Sequence, residues 1–231
     1  MLLTLSIREV LPATPRARIV RLNLNGSAFP YRAGQAVMVG VNGRRRPYSI
    51  ASSPEESEEG GFIELLVGVD AQGEAGSHLE LRSGALVGVE GPLGRFTFPD
   101  APEERRFLFI AGGTGIAPLR AMLRHALRVP HEAIGLLYSA RTLSEFAYER
   151  ELRDLAAAGL MELKQLVTRE VAPGDWIGGH GRIGRGDLTP LVHHRETLCF
   201  ICGPGALVQD MLATLAELGV SRERIRIEEW S

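Results

Sequence analysis

The chain has 231 residues, enough for one large domain or two ordinary ones. Hydrophobic residues make up 45% and charged residues 23%, and the formal net charge of −2 gives no general attraction for nucleic acid. The only two cysteines, Cys199 and Cys202, exclude a disulfide framework and a four-cysteine iron–sulfur cluster held by this chain alone. No apolar run approaches the ~20 residues of a membrane span, and the start lacks the basic residues of a signal peptide, so we expect a cytoplasmic protein.

Residues 1–98 alternate between apolar and polar side chains in short runs separated by glycine and proline turns. The alternation is clearest at 20–25, 37–41, 63–69 and 87–89. One-sided alternation of this kind predicts antiparallel strands in a barrel or sandwich. The acidic, glycine-ended segment 55–61 is expected to form an exposed loop, and residues 77–81 a short helix.

From residue 107 onward the pattern changes to near-continuous apolar runs that alternate with helical patterns. The apolar runs cover 107–111, 134–138, 161–167 and 198–202, and the helical patterns cover 116–127, 143–158 and 205–218. This alternation predicts a parallel sheet buried on both faces, with ligands beyond the carboxyl ends of the strands. Thr142 and Glu145 are expected to form a capping box at the start of the second helix.

A glycine-rich turn joins the first of these apolar runs to the first helix. It contains Gly112, Gly113, Thr114, Gly115 and Pro118. Such a turn lets a phosphate approach the backbone and the positive end of the helix dipole, which predicts a nucleotide site. It lacks the lysine and Ser/Thr pair of a triphosphate-binding loop. The alternative is a tight strand-to-helix turn without a ligand.

Two further stretches in the first half are candidate anion sites. In a strand, Arg46 and Tyr48 share one face and Ser49 points to the other, so a guanidinium, a stacking ring and a hydroxyl lie close together. A turn at Gly76 and Ser77 offers backbone donors. The alternative for the basic stretch is a solvated turn followed by an ordinary strand.

The two cysteines lie three residues apart in an apolar strand pattern, so their side chains are expected on opposite faces. We therefore predict neither a redox dithiol nor a metal site. Cys202 ends the strand just before Gly203 and Pro204, at the edge where a ligand is expected.

These motifs, taken in order, resemble those of the ferredoxin–NADP reductase-like flavoprotein family over essentially the whole chain. The matching segments are Arg46-Pro47-Tyr48-Ser49, Gly73–Ser77, Gly91–Phe96, Gly112–Pro118, Cys202-Gly203-Pro204 and Glu228-Glu229-Trp230. The resemblance implies an N-terminal antiparallel flavin-binding barrel, residues 1–100, followed by a Rossmann-like parallel-sheet nucleotide domain, residues 101–231.

The resemblance also implies FAD and NAD(P)H as cofactors and assigns roles to residues. For FAD, Arg46 pairs with the pyrophosphate, Tyr48 packs on the ring and ribityl chain, Ser49 bonds near the reactive ring nitrogen, and Gly76 and Ser77 donate to phosphates. Pro47 is a further flavin-binding residue, and Trp230 either covers the flavin or is an ordinary packing aromatic at the C-terminus. For NAD(P)H, the 112–118 turn binds the pyrophosphate, and Cys202, Gly203 and Pro204 lie on the nicotinamide side. Ser49, Cys202 and Glu228 are the implied catalytic residues.

The second apolar strand ends in Arg141 with no acid, and Arg169 and Arg182 follow in the next loop, which favours NADPH over NADH. Arg141 by itself is also compatible with NADH. Without cluster cysteines, the electrons are expected to pass to a separate acceptor such as ferredoxin, flavodoxin or an oxygenase component. Arg44 and Arg45 either steer an acidic partner or are simply solvated. Alternatives are an electron-transfer subunit with little activity alone, or a nucleotide-binding interaction module without flavin.

Overall fold

The structure is a computed structural model that describes residues 1–170, 174, 176–192 and 196–230, with only the backbone of Trp230. The chain forms two compact units. The first contains Met1–Asp100 together with Arg120–His125, and the second contains Ala101–Leu119 and Ala126–Ser231.

The first unit is an antiparallel six-stranded barrel. Its strands are β1 (Leu2–Thr14), β2 (Ala17–Asn23), β3 (Ala36–Val41), β4 (Arg44–Ser49), β5 (Phe62–Gly68) and β6 (Leu86–Leu93), in the order β4-β3-β6-β1-β2-β5. A bridge between Ile50 and Leu65 joins the two ends of this order and closes the sheet. Alternate side chains such as Val20, Leu22 and Ile63 are fully buried, which confirms the prediction of antiparallel strands.

The prediction of an exposed loop at residues 55–61 is wrong, because helix α1 (Pro54–Gly60) occupies this segment. Ser53 and Glu56 form a capping box, and Gly61 ends the helix with a φ of 67°. These capping residues can be seen in the sequence, but the acidic composition of the segment favoured the interpretation as an exposed loop.

The prediction of a short helix at residues 77–81 is also wrong, because a turn is present there. The Leu79 N–H donates to the Gly76 carbonyl at 3.2 Å, and the His78 carbonyl accepts from the Val41 N–H at 3.0 Å. The backbone of this segment therefore pairs with the end of β3 instead of propagating a helix.

The second unit is a parallel six-stranded sheet with helices, as predicted. Its strands are β7 (Arg106–Gly112), β8 (Ala133–Ala140), β9 (Glu162–Val167), β10 (Gly179–His180), β11 (Leu198–Pro204) and β12 (Ile225–Trp230), in the order β10-β9-β8-β7-β11-β12. Its helices are α2 (Ile116–Ala126), α3 (Glu149–Ala157), α4 (Arg185–Leu188) and α5 (Gly205–Glu217), and the 120–125 part of α2 belongs to the first unit. The strand order reverses between β7 and β11, the position at which sheets of this kind bind ligands.

The predicted helix at 143–158 is shorter than expected, since a 3₁₀ turn at Leu143–Glu145 precedes α3. The capping box of Thr142 and Glu145 does not form; the Glu145 N–H instead donates to the Thr142 backbone carbonyl at 3.1 Å. The next three residues, Phe146 to Tyr148, are buried, and Tyr148 has a φ of 60°. The extended backbone of Phe146 and the left-handed backbone of Tyr148 interrupt the helix before α3 begins.

Among the described residues, no helix is both long enough and apolar enough to cross a membrane.

Candidate functional site

In the first unit, β4 is bound to the turn at residues 76–79. The Arg44 guanidinium donates to the Ser77 hydroxyl at 2.9 Å, and the Tyr48 hydroxyl lies 2.7 Å from Nε2 of His78. The two stretches singled out in the sequence, separated by about 25 residues, are therefore parts of one surface.

The register of β4 confirms the predicted faces. Arg46 and Tyr48 lie opposite Val39 and Val37 of β3, two positions apart, so both side chains leave the same face of the strand. Ser49 is the next residue and lies on the other face. The exposed Arg46 guanidinium thus has the half-buried Tyr48 ring beside it.

Tyr48 and His78 form a neutral pair. Their rings are nearly parallel and lie side by side, with centroids 6.0 Å apart and planes 12° apart, and His78 is only 3% exposed. Burial raises the pKa of Tyr48, although the Arg46 charge opposes that rise. Burial and the Arg46 guanidinium both lower the pKa of His78. A phenol and an uncharged imidazole therefore share the hydrogen bond at neutral pH.

This surface fits a cofactor that carries both phosphate and a flat ring. Arg46, Pro47, Gly76 and Ser77 are exposed, and Gly76 has a φ of 95° that only glycine adopts without strain. A guanidinium and turn backbone groups bind phosphate, and the neighbouring aromatic pair offers an apolar face.

Sequence reasoning did not identify His78, whose only signal was its position next to Gly76-Ser77. It also missed Arg120, which follows the glycine-rich turn in α2. Arg120 is 6% exposed and donates to the Ala51 carbonyl at 2.7 Å and to the Glu56 carboxylate at 3.0 Å. It therefore fixes the backbone two residues after Ser49.

In the second unit, the glycine-rich turn packs directly against the end of β11. A Cβ on Gly112 would lie 3.0 Å from Cδ of Pro204, and one on Gly203 would lie 3.2 Å from the Gly112 nitrogen. A Cβ on Gly115 would overlap the Cys202 carbonyl oxygen. The glycines are thus required by close approach, and they bring residues 112–118 and 202–204 together.

The outer face of this turn is Gly113 and Thr114. Gly113 has a φ of 55° and is half-buried, while Thr114 is exposed. Gly115 and Pro118 are buried where α2 begins. The first N–H groups of a helix have no partner within it and carry the positive end of its dipole, so this face suits a phosphate.

Cys202 lies opposite Glu228 of β12, and its Sγ is 3.8 Å from a carboxylate oxygen of Glu228. Burial, together with the negative charge of Glu228, raises the pKa of the Cys202 thiol. The residue is therefore a protonated thiol that donates to the carboxylate. Cys199 instead donates to the Thr197 carbonyl at 3.7 Å.

The three arginines that are predicted to favour NADPH over NADH follow the carboxyl ends of three successive strands. Arg141 follows β8, Arg169 follows β9 and Arg182 follows β10, and the Arg169 N–H donates to the Arg141 carbonyl at 2.9 Å. All three side chains are exposed. Within the described part of the chain, none of them forms an ion pair with a carboxylate.

The backbone of Trp230 lies opposite Pro204 at the end of β12. Its side chain, for which a flavin-covering role was predicted, lies outside the described part of the structure.

Comparison with known proteins identifies both halves of the chain. Residues 4–98 match the family described as the oxidoreductase FAD-binding domain, and residues 109–212 match the oxidoreductase NAD-binding domain. The chain is 33% identical over 245 residues to ferredoxin–NADP reductase B of Sorangium cellulosum, an alignment that covers 96% of this chain and 94% of the relative.

Solved structures show the same fold. The FAD/NAD-binding domain of a Vibrio cholerae nitric oxide dioxygenase has a TM-score of 0.83 at 22% identity and covers 98% of both chains. A cytochrome P450 reductase of Amycolatopsis has a TM-score of 0.82 at 27% identity, covering 99% of this chain and 70% of its own. The chain therefore belongs to the ferredoxin–NADP reductase-like flavoprotein family and is an NAD(P)H-dependent flavoprotein oxidoreductase that uses FAD.

Proposed function

We propose that this protein takes electrons from NADPH and passes them through FAD to a separate redox protein. The observation that carries the proposal is the order of groups along the carboxyl edge of the parallel sheet. Three exposed arginines follow β10, β9 and β8, the glycine-rich turn follows β7, and the Cys202–Glu228 pair lies on β11 and β12. A dinucleotide bound along this edge contacts first the cationic groups, then the phosphate-binding turn and then the thiol.

The preference for NADPH rests on charge. A 2′-phosphate carries extra negative charge that an arginine binds through paired hydrogen bonds, whereas NAD-specific sites use a carboxylate for the ribose hydroxyls. Arg141, Arg169 and Arg182 supply the cations. The acid next to Arg169 in the chain, Glu170, accepts a hydrogen bond from the Leu143 N–H at 2.6 Å, so its carboxylate is already engaged.

For FAD, we assign Arg46 to the pyrophosphate, Tyr48 to the ring and ribityl chain, and Gly76 and Ser77 to the phosphates, with Pro47 as a further residue of the flavin site. Trp230 is assigned to cover the flavin. The exposed guanidinium, the positive φ of Gly76 and the Tyr48–His78 pair support the assignments of the barrel residues.

When bound, the nicotinamide supplies a hydride and the flavin accepts it and releases electrons singly. The protein's part is to orient and to control protons. We assign Ser49 to a hydrogen bond near the reactive flavin nitrogen. The Cys202 thiol and the Glu228 carboxylate border the nicotinamide, where the raised pKa of Cys202 keeps the thiol uncharged.

The acceptor is proposed to be a ferredoxin, a flavodoxin or an oxygenase component. The Sorangium relative is a ferredoxin–NADP reductase, and the Amycolatopsis neighbour is a P450 reductase. One of the subunits of the 1,2-phenylacetyl-CoA epoxidase of Escherichia coli is 30% identical over 88% of this chain and 60% of its own length. That relative also favours a second candidate, an electron-transfer protein that works only within a complex.

Steady-state assays with NADPH separate these candidates. A free-standing reductase reduces ferricyanide rapidly without any partner and reduces an added ferredoxin or flavodoxin. A component of a complex contains FAD but turns over slowly until its partner is added. Purified protein without FAD would overturn both.

A further inference from the structure

Tyr138 in β8 places a polar group inside an otherwise apolar strand. Tyr138 is fully buried, and its hydroxyl makes two hydrogen bonds. The hydroxyl lies 3.0 Å from the Gly113 carbonyl oxygen and 3.2 Å from the Ala147 nitrogen. Since a backbone N–H can only donate and a carbonyl can only accept, the hydroxyl accepts from Ala147 and donates to Gly113.

The bond to Gly113 determines how the glycine-rich turn is oriented. The Gly113 carbonyl also accepts from the Ile116 N–H, so it is held from two sides. In a planar trans peptide the C=O and the following N–H point in opposite directions. Because the Gly113 carbonyl points inward to Tyr138, the Thr114 N–H points outward, on the side where Thr114 is exposed.

The Tyr138 ring is itself firmly held. The Phe146 ring packs edge-on against it with centroids 5.0 Å apart and planes at 78°, and Phe146 stacks on Trp176 at 6.0 Å. Burial raises the pKa of Tyr138, so the hydroxyl keeps its proton and remains a donor throughout the physiological pH range. The group is buried behind the turn and has no exposed surface with which to meet a ligand.

We propose that Tyr138 is the positioning residue of the pyrophosphate-binding turn: its hydroxyl fixes the Gly113 carbonyl and thereby aims the Thr114 N–H at the dinucleotide pyrophosphate. The inference rests on the proposed assignment of the 112–118 turn to that pyrophosphate. It concerns a residue outside the glycine-rich motif, contributed by the neighbouring strand β8.

The test is Tyr138→Phe in the full-length, FAD-loaded protein, since this change removes only the hydroxyl. We expect the dissociation constant for NADP⁺ to rise roughly fivefold, the effect of one misaimed hydrogen bond. The rate of flavin reduction at saturating NADPH should stay within about twofold of wild type. The affinity for adenosine 2′-phosphate, which has no pyrophosphate, should be unchanged. A loss of affinity confined to NADP⁺ distinguishes misplacement of the pyrophosphate-binding turn from a general loosening of the domain.

Three companion variants keep the outcomes distinct. Tyr31→Phe removes a hydroxyl that bonds the Ser52 and Ser53 carbonyls in the barrel, and it should leave NADP⁺ affinity unchanged. Thr114→Asp places a negative charge on the exposed face of the turn and should weaken NADP⁺ strongly whatever Tyr138 does. If Tyr138→Phe folds poorly, Phe146→Leu keeps the hydroxyl but loosens the ring, and it should weaken NADP⁺ in the same direction.

The role of Tyr138 is overturned if Thr114→Asp weakens NADP⁺ binding while Tyr138→Phe does not. It is also overturned if Tyr138→Phe weakens adenosine 2′-phosphate as much as NADP⁺, or if Tyr31→Phe has an equal effect. If Thr114→Asp leaves NADP⁺ affinity unchanged, the pyrophosphate assignment of the turn fails instead.

Discussion

At the scale of single residues, the Tyr48–His78 pair illustrates how burial controls the charge of a candidate flavin site. A cationic histidine beside Arg46 would add a second positive charge next to the ring surface. The low exposure of His78 and the neighbouring Arg46 guanidinium prevent this, because both lower the pKa of His78 and so oppose its protonation. The pair therefore contributes shape and a fixed hydrogen bond rather than charge.

This arrangement predicts a specific pH dependence of stability. Because the folded-state pKa of His78 is lowered below the ordinary value of about 6.5, the unfolded chain takes up a proton first as the pH falls. His78 therefore costs stability progressively below about pH 6.5 and has no such effect above it. We expect urea unfolding of His78→Asn to show a weaker loss of stability between pH 7.5 and 5.5 than wild type.

The surface histidine variant His131→Gln is the control for that measurement, because His131 is exposed and lies in the other unit. An identical pH dependence in wild type and His78→Asn would contradict the burial argument.

Cys202 gives a second prediction for a single residue. Cys199 and Cys202 are at most 1% exposed, and burial raises the pKa of both thiols. Since the thiolate is the reactive form, neither should react appreciably with iodoacetamide at pH 8 in the native protein, whereas both should react in denaturant. Mass spectrometry counts the modified thiols; rapid native labelling at Cys202 would show that the thiol is ionised or accessible.

At the scale of secondary-structure elements, α1 and the 120–125 part of α2 are joined by charges. Arg120 and Arg124 both donate to Glu56, at 3.0 and 3.1 Å, and Arg120 also lies 3.6 Å from the buried Glu64. His125 bonds Glu55 at 2.6 Å. The acidic residues that made the segment look like an exposed loop are thus the partners of a neighbouring helix, which composition alone does not show.

Removing one partner of this network should be costly. Although burial by itself raises the pKa of Glu56, the Arg120 and Arg124 charges and the Ser53 N–H hold it below its usual value. We expect Glu56→Gln to lower the free energy of unfolding by about 3 kcal/mol at pH 7, because it removes the carboxylate charge that both Arg120 and Arg124 bind and leaves the buried Arg120 guanidinium with only the more distant Glu64. Urea titration measures the change.

The exposed Glu58 lies in the same helix, and Glu58→Gln should change stability by less than about 0.5 kcal/mol. The Glu56 contribution should also disappear as the pH falls through its lowered folded-state pKa, so wild type and Glu56→Gln should converge in acid. A constant difference down to pH 3 would indicate packing rather than charge as its source.

At the scale of the whole molecule, motif order and periodicity were sufficient to predict the barrel, the parallel sheet and the family. Those features depend on patterns that repeat along many residues. The contributions of His78, Arg120 and Tyr138 could not be predicted, because each depends on hydrogen bonds to residues outside its own segment of the chain. Tyr138 in particular looks like an ordinary aromatic residue of a buried strand until its two backbone partners are known.

The proposed preference for NADPH also depends on the assembled sheet, since the three arginines assigned to it follow three different strand ends. We expect Arg141→Ala and Arg169→Ala each to raise the dissociation constant for NADP⁺ about tenfold, the effect of one charge-assisted contact, and to leave that for NAD⁺ within about twofold. Arg150→Ala, on the exposed surface of α3, is the matched control and should change neither. Equal losses for both nucleotides would contradict a 2′-phosphate role.

The most direct test is anaerobic mixing of the FAD-loaded protein with NADPH or NADH, followed by flavin absorbance near 450 nm. We expect one equivalent of NADPH to bleach the flavin fully, and to do so faster and at lower concentration than NADH. A flavin that neither nucleotide bleaches would contradict the central claim that this chain carries electrons from a nicotinamide to its own FAD.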